Sequence, residues 1–258
     1  MTLSLTINPQ WGQEIFRTHD AFGPIRVFDD GNKRFLAFDS LHEQSCQHKN
    51  RPEQLMHEYT CAMLIPLVFQ RPRRITLFGL GGGSLAQCLY HCLPETQLHV
   101  IELRPAVVDI ARRFFQLPDD PRLQIEIMDA GSYLPNAPAG SADLLLCDMY
   151  HAARMDSQQA QYEFISHCHR LLSPDGWITI NYSHKSECTP DALEFIASHF
   201  ADIRVCRVSS GNQILVAGKQ TVTASPRELT QRARHLNGLL GFPITRYLRR
   251  ATRIKNEA

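Results

Sequence analysis

The feature that most constrains the fold is a glycine-rich turn between an apolar run and an amphipathic segment. The run RRITLFG leads into four glycines, Gly79, Gly81, Gly82 and Gly83, and SLAQCLYHCL follows with helical spacing. Glycine tolerates positive φ angles and lets a ligand approach the backbone closely. Such a turn between a first strand and a first helix is typical of nucleotide-binding α/β domains, although it also occurs at tight packing corners.

Strand-like and helix-like runs alternate from residue 73 onwards. The apolar runs ITLFGL, LHVIEL, LQIEIMDA, ADLLLCDM and WITINYS are separated mainly by segments with helical spacing, such as PAVVDIARRFF. Continuous apolar strands in this alternation predict a parallel sheet with helices on both faces. IRVCRV and NQILVAGK follow one another closely and look like a terminal antiparallel pair. The expected fold class is therefore α/β with a doubly wound Rossmann-like sheet.

Two further segments flank this alternation and suggest three parts. PIRVFDDGNKRFLAFD, residues 24–39, contains two alternating runs around Asp-Gly-Asn, which is a hairpin signal. We expect a small N-terminal β-domain at 1–55, a nucleoside-binding catalytic domain at 56–222, and a basic helical C-terminal extension at 223–258. For this extension, a solvated helix packed on the domain is favoured over a tail that contacts a partner or RNA.

Composition excludes several function classes. The 258 residues have a net charge of +1, which gives no reason to expect nucleic acid or an anionic membrane as partner. No apolar run is long enough to cross a membrane, and the N-terminus lacks the features of a signal peptide. The eight cysteines contain no Cys-x-x-Cys and the histidines no paired zinc spacing, so we expect reduced thiols in a cytoplasmic protein with no metal site.

Acidic residues end three successive strand-like runs. Glu102 lies roughly twenty residues after the glycine turn, where an acid at the tip of the second strand binds ribose hydroxyls. Asp129 and Asp148 end the next two runs. An acid at one strand end is often only a helix cap, but the carboxyl ends of parallel strands share one crevice. We therefore expect these three side chains to converge on the glycine turn, whose Gly-x-Gly-x-Gly spacing favours S-adenosylmethionine over a dinucleotide.

Residues 20–220 resemble the spermidine synthase-like family, the polyamine aminopropyltransferases. The similar segments, in family order and spacing, are RVFDDGNKRFLAFDS, PEQLMHEYTCAMLIPL, FGLGGGSLA, VIELRPAVVDIARRFF, DPRLQIEIMDAGSYL and DLLLCDMYHA. The resemblance implies a methyltransferase-type Rossmann domain beside a small β-domain. It also implies a transferase that moves the aminopropyl group of decarboxylated S-adenosylmethionine to putrescine, and it allows a homodimer.

The resemblance assigns roles to individual positions. Glu102, with Leu103 beside it, would bind the ribose hydroxyls, and Asp129, with Ala130, would bind the adenine amino group. Asp148 would accept a proton from the attacking amine or orient it. The residues expected at the donor are Gly79, Gly81, Gly82, Gly83, Ser84, Glu102, Leu103, Asp129 and Ala130. Those expected at the small-molecule amine acceptor are Tyr150, His151 and His57.

Departures from the family pattern leave the reaction open. Ser84 is interpreted as replacing a glycine-turn aspartate that meets the donor ammonium, and His151 as replacing a second acceptor-binding aspartate. A serine could donate to the carboxylate of S-adenosylmethionine, whereas an aspartate would repel it. Methyl transfer from S-adenosylmethionine to an amine is therefore slightly favoured here. The alternatives are genuine aminopropyl transfer from decarboxylated S-adenosylmethionine, and a non-catalytic nucleoside-binding scaffold.

Overall fold

A computed structural model describes residues 7–8, 11–38, 43–151, 154–183 and 188–254. The N-terminal part forms a five-stranded antiparallel sheet in which each strand pairs with the next along the chain. Its strands are β1 (Ile7–Asn8), β2 (Gly12–Asp20), β3 (Gly23–Asp30), β4 (Lys33–Ala37) and β5 (Glu43–His48). The predicted hairpin is β3 and β4, whose register pairs Asp30 with Lys33 across Gly31 and Asn32.

An eight-stranded sheet forms the second and larger part. Its strands in the described chain are β6 (Arg74–Phe78), β7 (Gln97–Glu102), β8 (Leu123–Ile127), β9 (Ala142–Cys147), β12 (Leu172–Tyr182), β13 (Asp202–Arg207), β14 (Gln213–Gly218) and β15 (Thr252–Arg253). The order is β15-β13-β14-β12-β9-β6-β7-β8, and β12, β9, β6, β7 and β8 are parallel. Two short strands, β10 (Tyr150–His151) and β11 (Arg154–Met155), form a separate antiparallel ribbon.

Helices connect these strands, as the sequence predicts. In the described residues they are α1 (Glu58–Met63), α2 (Ser84–Cys92), α3 (Pro105–Phe114), α4 (Ala130–Tyr133), α5 (Tyr162–Leu171), α6 (Pro190–His199), α7 (Pro226–Leu240) and α8 (Ile244–Arg250), with 3-10 turns at Ile65–Val68, Leu134–Asn136 and Ser157–Ala160. The segment MHEYTCAMLIPLVF, residues 56–69, has the spacing of a helix throughout, but its α-helix ends at Met63. Pro66 has no N–H to continue the α-helical ladder, so the chain changes to a 3-10 turn after Leu64.

Both faces of the parallel strands are buried, which explains their unbroken apolar sequences. On β9, Leu144 and Leu146 belong to one apolar cluster, whereas Leu145 and Cys147 belong to another on the opposite face. This alternation is the period-2 geometry of a strand covered on both sides. The expected doubly wound α/β fold with a small N-terminal β-sheet and a helical C-terminal tail is confirmed.

The N-terminal sheet packs directly on the glycine turn and on the end of α3. The amide of Gly82 donates to Ser45 Oγ at 2.8 Å, and Gln47 Nε2 donates to the carbonyl of Phe115 at 2.7 Å. Arg104 binds Asp20 with two hydrogen bonds of 2.8 and 3.0 Å. The two sheets therefore meet through buried polar contacts as well as apolar ones. Among the described helices, none has the length and apolar character needed to cross a bilayer.

Candidate active site

A cavity of about 580 Å³ opens at the carboxyl ends of β6, β7, β8 and β9, where the N-terminal sheet covers them. Ligands of open α/β sheets bind at this edge. The described residues that line it are Phe38, Glu43, Gln44, Ser45, Met56, His57, Glu58, Tyr59, Gly79, Leu80, Gly81, Ile101, Glu102, Leu103, Arg104, Met128, Asp129, Ala130, Asp148, Met149, Tyr150, Asp156, Asn181, Ser210 and Asn212. The three strand-end acids predicted to converge all line this one cavity.

The glycine turn forms the floor of the cavity. Gly79 has a φ of +93°, and a Cβ there would lie 2.4 Å from the carbonyl oxygen of Asp148. Glycine at position 79 therefore lets β6 and the end of β9 approach closely. Gly81 also has a positive φ, of +54°, and lines the cavity with Gly79 and Leu80. Gly82 is not among the described lining residues, and its amide donates to Ser45.

Glu102 is held rigidly at the tip of β7. Its side chain is 7% exposed. One carboxylate oxygen accepts the Leu80 N–H at 2.8 Å, and the other accepts the Arg104 N–H at 2.9 Å. A carboxylate can accept about four hydrogen bonds, and Glu102 lines the cavity, so its chemistry suits the hydroxyl groups of a ligand there. The carboxylate thus links the glycine turn to the second strand and faces the ligand site at the same time.

Asp129 caps a helix and also lines the cavity. As the N-cap of α4 it accepts the Ser132 N–H at 2.9 Å, which is the capping role that a single strand-end acid often has. Its other oxygen accepts Gln158 Nε2 at 3.1 Å. Because Asp129 and Ala130 line the same cavity as Glu102, the cap does not exclude contact with a bound nucleobase.

Asp148 is half-buried directly after the end of β9, within a hydrogen-bond network. Burial raises the pKa of Asp148, while the hydrogen bond from Asn181, the nearby His57 and the hydrogen bond from Tyr59 act in the opposite direction. Asn181 Nδ2 donates to Asp148 Oδ1 at 2.8 Å, and Asn212 Nδ2 donates to Asn181 Oδ1 at 2.9 Å. These donors fix the orientation of a carboxylate whose burial favours proton uptake.

The predicted acceptor residues are brought to the same end of the cavity, as far as they are described. His57 Nε2 lies 3.0 Å from Glu43 Oε1, without hydrogen-bond geometry, and its ring stacks on Tyr59 with centroids 5.5 Å apart. Tyr150 lines the cavity and donates its hydroxyl to the carbonyl of Asn181 at 3.2 Å. Burial raises the pKa of Tyr150, so its hydroxyl stays protonated. His151 belongs to β10, but its side chain lies outside the described part of the structure.

Ser84 is not where the sequence argument needs it. It is the first residue of α2, two positions beyond Gly82, and is not among the described residues that line the cavity. Its hydroxyl is buried without a hydrogen-bond partner in the described part of the chain. The hypothesis that Ser84 meets a donor carboxylate therefore has no structural support, and the preference for methyl transfer built on it loses its basis. Ser45, which the sequence argument did not select, is the serine at the cavity wall.

The cavity is strongly acidic. Six carboxylates line it, namely Glu43, Glu58, Glu102, Asp129, Asp148 and Asp156. Arg104 is the only arginine or lysine among the described lining residues, and its 5% exposed side chain is bound to Asp20 and to the carbonyl of Gly23. His57 is the only other basic lining group in the described chain. Such a surface suits a cationic ligand much better than an anionic one.

Sequence reasoning missed several polar residues around Asp148. Tyr59, Asn181 and Asn212 are ordinary residues in their local sequence, and only the fold brings them from α1, β12 and the loop before β14 to one point. Glu43 was missed because the residues around it form a polar segment without a motif. The position of Asn181 at the end of the strand-like run WITINYS was the one available signal, since strand ends on this side face the ligand.

The comparison with known proteins agrees with the family resemblance seen in the sequence. Residues 75–176 match the family model described as a methyltransferase domain. The chain is 28% identical over 236 residues to the polyamine aminopropyltransferase of Chromobacterium violaceum, covering 90% of each chain. It is 28% identical over 237 residues to that of Neisseria meningitidis, covering 88% of each. The predicted resemblance is thereby confirmed, as is the interpretation of the chain as a transferase.

Solved structures agree on the fold. A probable spermidine synthase from Corynebacterium glutamicum superimposes with a TM-score of 0.74 at 22% identity, covering 88% of each chain. A spermidine synthase in complex with the transition-state analogue AdoDATO gives a TM-score of 0.66 at 17% identity, covering 90% of this chain and 89% of that one. Human methyltransferase-like protein 13 in complex with SAH covers 72% of this chain and 94% of its own, with 21% identity and a TM-score of 0.63. These likenesses are all below 25% identity and show the fold, whereas the names of the curated relatives favour the aminopropyl over the methyl-transfer alternative.

Proposed function

We propose that this chain, which is similar to the polyamine aminopropyltransferases, transfers the aminopropyl group of decarboxylated S-adenosylmethionine to an amine acceptor. The observation on which the proposal depends is the charge of the cavity. Six carboxylates line it, and its one described guanidinium group is already bound to Asp20.

The two candidate donors differ at one group. S-adenosylmethionine carries a carboxylate beside its ammonium group, whereas the decarboxylated form ends in the ammonium group alone. In a cavity with this charge, a donor carboxylate would be repelled and would lack a free cationic partner among the described residues. The ammonium group of the decarboxylated donor and the ammonium groups of a polyamine are attracted for the same reason.

The nucleoside end of the donor fits the residues at β7 and β8. In this proposal, Glu102 accepts the ribose hydroxyls with its carboxylate, which lines the cavity, and Leu103 lies beside it. Asp129 accepts the adenine amino group, with Ala130 adjacent. The backbone at Gly79 and Gly81 lines the cavity, and the sulfonium end would lie against it.

Asp148 is the proposed proton acceptor. The donor supplies an alkyl carbon on a positively charged sulfur. The amine nitrogen attacks that carbon, the carbon–sulfur bond breaks, and the sulfur leaves as the neutral thioether of 5′-methylthioadenosine. An amine must lose a proton in this reaction, and its free pKa is near 10. Asp148, oriented by Asn181 and Tyr59 and with its pKa raised by burial, accepts that proton in the cavity.

The test is a direct comparison of donors. The purified protein is incubated with decarboxylated S-adenosylmethionine or with S-adenosylmethionine, each with a panel of diamines and a monoamine, and products are identified by mass spectrometry. We expect 5′-methylthioadenosine and an aminopropylated diamine from the first donor only, and nothing without acceptor. Methylated amine and S-adenosylhomocysteine from the second donor would refute aminopropyl transfer in favour of methyl transfer. Tight nucleoside binding with no product from either donor would instead support the scaffold alternative.

A further inference from the structure

The basic C-terminal extension contacts the cavity through Glu58. Arg246 Nη2 on α8 lies 2.8 Å from Glu58 Oε1, and Arg250 Nη1 lies 3.8 Å from the same oxygen. Glu58 is the first residue of α1 and lines the cavity. Two of the arginines of the extension therefore pair with a carboxylate that lines the cavity.

The other oxygen of Glu58 holds the loop between β13 and β14. Glu58 Oε2 accepts the Ser209 N–H at 3.1 Å and also the Ser209 hydroxyl. The next residue, Ser210, lines the cavity and donates its hydroxyl to Asn212 Oδ1 at 2.8 Å. Because Asn212 donates onward to Asn181, the loop that Glu58 anchors is part of the network around Asp148.

Helix α8 is itself fixed firmly enough to act as a support. Ile244 and Tyr247 are buried in the main apolar cluster, and the carbonyl of Tyr247 lies 3.7 Å from the thiol of Cys206 on β13. The helix is therefore packed on the same β13–β14 region that carries the loop. Its two arginines meet Glu58 from a fixed position rather than from a loose tail.

We propose that α8 positions the acceptor-binding wall, with Arg246 and Arg250 acting through Glu58 on the loop of residues 208–212. The arginines have two effects. They balance one carboxylate in an acidic cavity, and they hold Glu58 where it can anchor Ser209. Without them, Glu58 would turn towards the cavity or solvent, and Ser210 and Asn212 would lose their fixed places beside the acceptor. This inference rests on the proposed aminopropyl transfer.

Binding at the nucleoside end of the cavity should not be affected when Arg246 and Arg250 are replaced. Glu102 and Asp129 are held by backbone amides and by Gln158, and none of those bonds involves α8. The inference therefore predicts that loss of the two arginines weakens acceptor binding but not nucleoside binding. The KM for the diamine should rise, whereas the affinity for 5′-methylthioadenosine should stay the same.

The experiment compares the double variant R246Q/R250Q with R249Q and with R246K/R250K. Arg249 is exposed on the same helix and has no ion pair in the described part of the chain, so R249Q is a matched control. We expect the double glutamine variant to raise the KM for the diamine about five-fold, since partly exposed ion pairs contribute modestly. The lysine variant should recover most of this loss. The Kd of 5′-methylthioadenosine should remain within about two-fold in all three, which also shows that they fold.

A second measurement does not depend on turnover. Hydrogen exchange of the Ser209 amide should be faster in R246Q/R250Q than in the wild type, and unchanged in R249Q, because the Ser209 N–H is bound by Glu58. An unchanged KM together with unchanged exchange would overturn the inference. If the wild-type protein gives no product, the proposed function fails, and the exchange result alone decides whether α8 holds the loop.

Discussion

Replacing Glu102 with glutamine tests the proposed nucleoside site most directly. The change keeps the shape of the side chain but removes its charge and converts one oxygen into an NH₂ group. Both carboxylate oxygens accept backbone N–H groups, from Leu80 at 2.8 Å and from Arg104 at 2.9 Å. Whichever way the amide is oriented, its NH₂ group faces one of these N–H donors, so one buried hydrogen bond is lost in E102Q.

The expected magnitude follows from these contacts. Hydrogen bonds to a charged group contribute about 1.5–3 kcal/mol, against about 0.5–1.5 kcal/mol for neutral ones, so two weakened ribose bonds lose about 2–3 kcal/mol. The Kd of adenosine should therefore rise on the order of 100-fold. The unpaired backbone N–H costs a further 1–3 kcal/mol of stability, roughly, and should lower the melting temperature by several degrees without preventing folding.

The assay is titration calorimetry with adenosine and with 2′,3′-dideoxyadenosine, which lacks the hydroxyl groups. The wild-type protein should prefer adenosine, and E102Q should lose most of that preference. D109N is a suitable control, because Asp109 is an exposed acid of α3 that pairs with Arg113 far from the cavity lining, and the variant should behave like the wild type. An E102Q protein that discriminates between the two ligands as well as the wild type does would refute the assignment of Glu102 to the ribose.

Two further predictions concern the chemical step and the glycine turn. D148N should lower kcat by on the order of 10²–10⁴-fold, as expected for loss of a general base, with little change in 5′-methylthioadenosine affinity. Since burial raises the pKa of Asp148 and the carboxylate is the active form, kcat should fall as the pH drops through a value above the ordinary aspartate range; D148N should lack this acid limb in its pH–rate profile. S84A should bind both donors as the wild type does, because the Ser84 hydroxyl is buried away from the described cavity lining; a several-fold change in the preference between donors, measured by calorimetry, would return Ser84 to the site.

The sequence was most informative where local pattern and topology act together. Glu102, Asp129 and Asp148 could be predicted to converge because each ends an apolar strand, and parallel strands present their carboxyl ends at one edge. The same logic predicted the glycine turn beside them. These predictions needed only the order of strands and helices, which the alternation of apolar runs expresses clearly.

Other features depend on contacts that no local pattern encodes. Ser84 was selected because it ends the glycine turn, but the turn closes before it, and Ser45 from a different sheet reaches Gly82 instead. The acidic character of the cavity was also not visible, because the net charge of the chain is only +1 and the carboxylates come from both sheets. The α-helix within 56–69 is shorter than its spacing because helical spacing continues through Pro66, where the backbone cannot continue an α-helix.

The bond between Ser45 and the Gly82 amide has a consequence for how the protein unfolds. If the N-terminal sheet detached, its hydrogen bonds to the Gly82 amide and to the Phe115 carbonyl would be exchanged for bonds to water, a net loss of about 0.5–1.5 kcal/mol each. The apolar cluster would also lose Ile25, Val27 and Leu36. The two sheets, although they read as separate segments in the sequence, should therefore melt in a single cooperative transition.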